Sequence, residues 1–171
     1  RNRSKHLYPF NLGSGNAQVP HSLRAAITFA AMSAESNTPQ SVGSYPATRR
    51  VGNLLFISGM GPRLPKSPAA ASSVPGLKLD ANGNYLEFSF EDQVHSVMAN
   101  VKSALEEAGG RWDQLVDITV FLTDMKRDFA AFNRIYAEYF ADVDPKPCRT
   151  TVQVTALPTP IAVELKCIAA L

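Results

Sequence analysis

Between Ser89 and Gly110 the apolar residues Val94, Val97, Met98, Val101, Leu105 and Ala108 recur at intervals of three and four, with polar residues between them. That spacing gathers them on one stripe of an α-helix. Ser89, followed by Glu91 and Asp92, offers a hydroxyl and two acids to the orphan amides at the positive end, and Gly109-Gly110 stops the run. A helix that is apolar on one stripe alone must lie on something else. A second helix is predicted from about Asp128 to Ala141, with Phe129, Phe132, Tyr136, Tyr139 and Phe140. Between the two, Val116–Leu122 reads as a buried strand rich in Val, Ile, Thr and Phe.

Strands bracket this helical middle. Thr48–Val51 and Leu54–Ser58 flank Gly52-Asn53, a two-residue pair of the kind that closes hairpins. Gly59, Gly61, Pro62, Pro65, Pro68, Pro75 and Gly76 fill a long breaker-rich loop, and Tyr85–Phe88 follows Asn82-Gly83-Asn84 as a short strand. Near the carboxy terminus, Thr151 and Gln153 alternate with Val152 and Val154, and Glu164 and Lys166 with Val163, Leu165 and Cys167. These read as two half-buried strands joined by a Pro-bearing turn. Such a hairpin brings Arg149 and Glu164 to one rim, a guanidinium for an anion beside a carboxylate for a water. The order predicts an α+β sandwich with both helices on one sheet face. The other face is then bare and has to be covered, which predicts symmetric self-association.

At 171 residues and 45% hydrophobic content the chain needs one core. Its net charge of +2 is uneven, since residues 1–34 hold Arg1, Arg3, Lys5 and Arg24 and no acid. The remainder is about −2, which gives no electrostatic case for nucleic acid. Residues 1–40 therefore read as an amino-terminal extension, transit-like or vector-derived, with Met32-Ser33-Ala34 resembling a translation start and Leu23–Ala31 a short apolar element. Residues 41–171 form the single domain. Cys148 and Cys167 are too few for a disulfide framework and lack metal-ligand spacing. They are expected to be inert thiols in a reducing compartment, the cytoplasm, or the mitochondrion if residues 1–31 are native. No apolar run approaches the roughly 20 residues that span a bilayer.

Several short motifs occur in order. They are Gly43-Ser44-Tyr45, Leu55-Phe56-Ile57-Ser58-Gly59, Asp128-Phe129-Ala130-Ala131-Phe132-Asn133, then Pro147-x-Arg149-Thr150-Thr151-Val152, Leu157-Pro158 and Val163-Glu164. From about Val42 to Ala169 the chain resembles the RidA (reactive intermediate deaminase) family of enamine and imine deaminases. The resemblance implies a chorismate mutase-like fold, a sheet backed by two helices, assembled as a barrel-like homotrimer with substrate clefts between neighbouring subunits. It also implies that Arg149 binds a substrate carboxylate and Glu164 orients water, with Tyr45, Ser58, Gly59, Asn133 and Thr151 lining the pocket. Thr151 stands where many members carry cysteine, so thiol reactivity is lost there. Arg-Thr-Thr-Val with Glu-Leu-Lys looks more like the 2-aminomuconate deaminase branch, for which Arg63 would supply a second anionic contact.

The implied reaction is hydrolysis of a 2-imino or 2-enamino acid to a 2-keto acid and ammonia, with no metal or organic cofactor. Taken alone, Arg149 is an exposed residue entering a strand and Glu164 the surface partner of Lys166 or Arg149. Rival readings are an endoribonuclease or translation inhibitor, and a non-catalytic ligand-binding or chaperone-like member. The first needs a proton donor and acceptor pair, yet His6 and His21 lie in the extension and His95 reads as a surface residue.

Overall fold

Five strands of the computed structural model, which describes residues 37–67 and 70–171, make one mixed sheet. The extension expected over residues 1–40 lies outside the described residues as far as position 36, and with it Leu23–Ala31, Met32, His6 and His21; Pro68 of the breaker-rich loop is also outside them. Strands β1 (Thr48–Val51) and β2 (Leu54–Met60) pair from Val51 opposite Leu54 to Thr48 opposite Ile57. Gly52, at φ 60°, takes the positive backbone angle that this tight turn requires. β2 runs two residues beyond the expected Ser58, because after an irregularity Met60 regains a partner in Leu165.

The main helices lie on one face of this sheet. α1 (Phe90–Glu107) begins where Ser89 Oγ accepts from the Asp92 amide at 3.3 Å, and it ends before Gly109 at φ 81°. α2 (Met125–Tyr139) starts three residues before the predicted Asp128, because Asp124 caps it by accepting from the Arg127 amide at 2.9 Å. Their apolar stripes, including Val94, Val97, Met98, Val101, Phe132 and Ile135, are buried against Ile118, Val120 and Leu122 of β5 (Leu115–Leu122) and Val163, Leu165 and Cys167 of β7 (Val163–Ala170). Burying one such aliphatic or aromatic side chain contributes about 1.5–3 kcal/mol. This is the predicted α+β arrangement. The opposite face carries Phe56, Thr119, Phe121, Glu164, Lys166 and Ile168, and along its edge Val51, Leu54 and Phe56 are 56%, 37% and 37% exposed.

The expected carboxy-terminal hairpin is absent. The sheet order is β1-β2-β7-β5-β6, so β5 separates β6 (Cys148–Gln153) from β7, and β6 runs parallel to β5. The reason is the intervening helix: β5, α2 and β6 form a crossover unit, and a helical crossover delivers the chain back parallel to its starting strand. β7 then inserts antiparallel between β5 and β2. A bridge between Cys148 and Cys167 is thereby ruled out, since they flank β5 on opposite sides and two strand spacings span about 9–10 Å. The breaker-rich stretch also holds β3 (Leu77–Leu79), which pairs with the expected short strand β4 (Tyr85–Phe88). Asp80 ties their turn by accepting from the Asn82 and Asn84 amides, each at 2.8 Å.

Candidate functional site

Glu164 sits near the amino-terminal end of β7 and points to the open face. Its carboxyl group lies directly over Gly59 of β2: a methyl group added at Gly59 would stand 2.8 Å from Glu164 Cδ. Any larger residue there would push the carboxyl group from this seat. Gly59, Gly61, Arg63, Tyr45 and Ile161 join Glu164 around a cleft of about 20 Å³, room for roughly one water. An adjoining recess adds Ser58, whose hydroxyl donates to the Pro46 carbonyl at 2.8 Å. Burial pushes the Glu164 carboxyl above its ordinary range, and the positive charge of Arg63 partly offsets this.

Arg63 is 7% exposed and is fixed by donating to the Gln40 carbonyl at 2.7 Å and the Ser67 carbonyl at 3.5 Å. The strand and loop walls of this cleft are both held by amides from α1. Asn100 Nδ2 donates to the Gly61 carbonyl at 2.8 Å and the Arg63 carbonyl at 2.7 Å, while Gln93 Oε1 accepts from the Ala162 amide at 2.8 Å. Both amides are buried. Neither is among the residues predicted from sequence. The available signal is that Gln93 and Asn100, seven apart, interrupt the apolar stripe of α1 with polar side chains, which demands buried partners.

Arg149, Asn133 and Thr151 belong to a second locus. Arg149 pairs in register with Ile118 and Thr151 with Val120, so both point to the helix side of β6, beneath α2. The Arg149 guanidinium carbon lies 4.6 Å from the Tyr136 ring centre and 5.7 Å from that of Phe132, close enough for cation–π attraction. On the same two elements, β6 and α2, three buried polar atoms have no partner among the described residues: Asn133 Oδ1, Tyr136 OH and Thr151 Oγ1. Tyr136 is a further residue not singled out from sequence. Its three-residue spacing from Asn133 places it on the same helix face, which is the signal that could have found it.

The one-rim arrangement expected of Arg149 and Glu164 therefore does not exist within a chain. Glu164 registers with Phe121 and Arg149 with Ile118, three positions apart on β5, so they project from opposite sheet faces across two strand spacings. The structure thus gathers Tyr45, Ser58, Gly59, Arg63 and Glu164 in one cluster, and Arg149 and Thr151 of β6, with Asn133 on the overlying helix, on the other side of the sheet. His95 is exposed, with Nδ1 3.1 Å from Tyr139 OH. Cys167 is buried, its thiol pushed up to about 12 by desolvation. Among the described residues there is no group of three or more His, Cys, Asp or Glu able to hold a metal ion, and no helix long and apolar enough to cross a membrane.

A mixed sheet backed by two helices on one face, here with a half-buried glutamate over a strand glycine, makes this an α+β protein of the YjgF/L-PSP fold. The family described as Endoribonuclease L-PSP matches residues 35–171, and the chain belongs to it, alongside proteins named RutC and reactive intermediate deaminase. It is 35% identical over 133 residues to a RutC family protein of Pyrococcus horikoshii, covering 78% of this chain and 91% of that one. It is 33% identical over 133 residues to the chloroplastic Reactive Intermediate Deaminase A of Arabidopsis thaliana, covering 78% of this chain and 62% of that one. Among solved structures, E. coli TdcF with bound serine superposes with a TM-score of 0.66 at 28% identity, covering 80% of this chain and 94% of that one.

Proposed function

We propose that the protein hydrolyses 2-imino acids and their enamine tautomers to 2-keto acids with release of ammonia, in clefts between copies of the chain. The observation that carries this reading is the seating of the Glu164 carboxylate over Gly59, half-buried and beside Arg63. Arg149 of one copy binds the substrate carboxylate by two parallel charge-assisted hydrogen bonds. Glu164 of the neighbouring copy accepts a proton from water as its oxygen bonds to the iminium carbon. It returns that proton to the carbinolamine nitrogen and then takes up the new hydroxyl's proton as the carbonyl forms and the carbon–nitrogen bond breaks, so that ammonia leaves, the keto acid remains and the proton passes to solvent. Such positioned proton transfer is worth about 10² to 10⁴ in rate. The electrophile is the protonated imine itself, so the scheme uses no metal or organic cofactor.

A cleft of about 20 Å³ is far below the roughly 300 Å³ or more usual for small-ligand sites, which favours completion by a second copy. The exposed Val51, Leu54 and Phe56 on the uncovered sheet face favour a homotrimer closed around those faces. Residues 41–171 are then the catalytic unit. Arg63, a second cation beside Glu164, suits a dicarboxylate of the 2-aminomuconate type. The serine named with TdcF is consistent with a carboxylate-bearing ligand. The free thiols Cys148 and Cys167 suit a reducing compartment such as the cytoplasm. The endoribonuclease description of the family favours a second reading, but His95 is the one histidine among the described residues and faces Tyr139 rather than a proton-transfer partner.

Co-expression tests the shared cleft. Arg149→Ala and Glu164→Gln are each expected to abolish ammonia release from imines generated in situ. Mixed assemblies of the two should recover roughly a quarter of wild-type activity, the share of clefts that draw both intact halves by independent assortment. No recovery in assemblies shown to be mixed would place the two groups in one chain's site and sink the scheme.

A further inference from the structure

Tyr136 occupies an unusual position beside Arg149. Its residue is 9% exposed, yet its hydroxyl has no hydrogen-bond partner among the described residues. A buried phenol normally finds one, because leaving it unpaired costs free energy. Its ring lies against the Arg149 guanidinium at 4.6 Å and stacks on Phe140 with centres 4.5 Å apart, so α2 and the core hold the side chain in place. Two more unpartnered polar atoms share this locus: Asn133 Oδ1 is one helical turn away, and Thr151 Oγ1 lies on the same side of β6 as Arg149. One cation and three buried, unpartnered polar atoms are thus carried by β6 and the helix that covers it.

We infer that Tyr136 is a substrate-binding residue whose hydroxyl donates a hydrogen bond to the same carboxylate that Arg149 grips, while its ring holds the guanidinium plane in register. The ligand class is a carboxylate with an adjoining N–H. Arg149, Thr151 and Tyr136 supply donors to the acid, and Asn133 Oδ1 accepts from the imine or enamine nitrogen. Burial pushes the Tyr136 hydroxyl above its ordinary range, with Arg149 opposing, so it keeps its proton and remains a donor at neutral pH. This inference rests on the proposed role of Arg149 as carboxylate ligand.

The test uses the full chain with pyruvate, a 2-keto acid, as probe, titrated by NMR against wild type, Tyr136→Phe, Tyr136→Leu and Arg149→Ala. A hydrogen bond to a charged acceptor corresponds to about tenfold or more in affinity. Tyr136→Phe should weaken pyruvate binding by about that factor while melting at or above the wild-type temperature, since it deletes an unpaired buried hydroxyl and keeps the ring. Tyr136→Leu should weaken binding further by freeing the guanidinium. Unchanged affinity in Tyr136→Phe with binding lost in Arg149→Ala would overturn the role of Tyr136 and leave that of Arg149 intact. A clearly lowered melting temperature in Tyr136→Phe would show that the hydroxyl serves the fold, and would also overturn the inference. Unchanged affinity in Arg149→Ala would instead remove the reading on which the inference depends.

Discussion

Gly59→Ala separates the cleft from the fold. The new methyl carbon would stand 2.8 Å from Glu164 Cδ, against the roughly 3.5–4.0 Å of a relaxed carbon contact, so the carboxyl group must retreat by about 1 Å. Glu164 ends a flexible side chain, and turning it off its preferred rotamer costs about 0.5–1.5 kcal/mol. The backbone at Gly59 is not in the positive-φ region, so alanine returns about 0.4–1 kcal/mol by restricting the unfolded chain. The two nearly cancel. The melting temperature should then move by no more than about 2–4 °C for a chain this size. Activity should fall about 10²-fold, the usual penalty for misplacing a reacting group by 1 Å. Ammonia release from imines generated in situ, measured beside a thermal melt, reads both quantities. Turnover within about threefold of wild type would refute the claim that Glu164 must rest on Gly59, and a collapse of the melting temperature would refute the claim that only the carboxylate yields.

Glu164 should also set the acid limb of the pH–rate profile. Because burial raises its pKa above 4.5, the base is lost at a higher pH than a solvated glutamate would give, and in Glu164→Gln any residual rate should lack that limb. The same shift makes the folded chain bind the proton more tightly than the unfolded chain. Its stabilising share is therefore full below the unfolded value and lost as pH rises through the folded one. Accordingly, the melting temperature of Glu164→Gln relative to wild type should rise between acidic and neutral pH, and a constant difference would contradict the shift. Asn100→Ala leaves the Gly61 and Arg63 carbonyls unpaired in the interior, which should cost about 2–4 kcal/mol in denaturant unfolding; a loss below 1 kcal/mol would mean that α1 does not clamp that wall.

The helices were legible because their stripes are long and periodic, and the β1–β2 hairpin because Gly52-Asn53 marks it. The final strands were harder. Alternation in 148–153 and 163–170 fits any neighbour, so two adjacent alternating runs suggested a hairpin, although the strand–helix–strand order from Leu115 to Gln153 already carried the parallel crossover that displaces β6. That one error moved Arg149 from beside Glu164 to the opposite face. β3 stayed hidden because three residues between glycine, proline and an Asx turn give no measurable period. The motif residues fall into the two clusters described above, whereas Gln93, Asn100 and Tyr136 carry no motif, since their meaning depends on what lies across the interior rather than along the chain.

With Arg149 and Glu164 on opposite sides of one sheet, the proposed scheme leaves a lone copy of this chain unable to hold and attack the same small molecule. Dilution should therefore silence it without unfolding it. In the proposed scheme a damaged copy would spoil the work of its neighbours as well as its own, so the integrity of the whole assembly, rather than of any single member, would set how much chemistry is done.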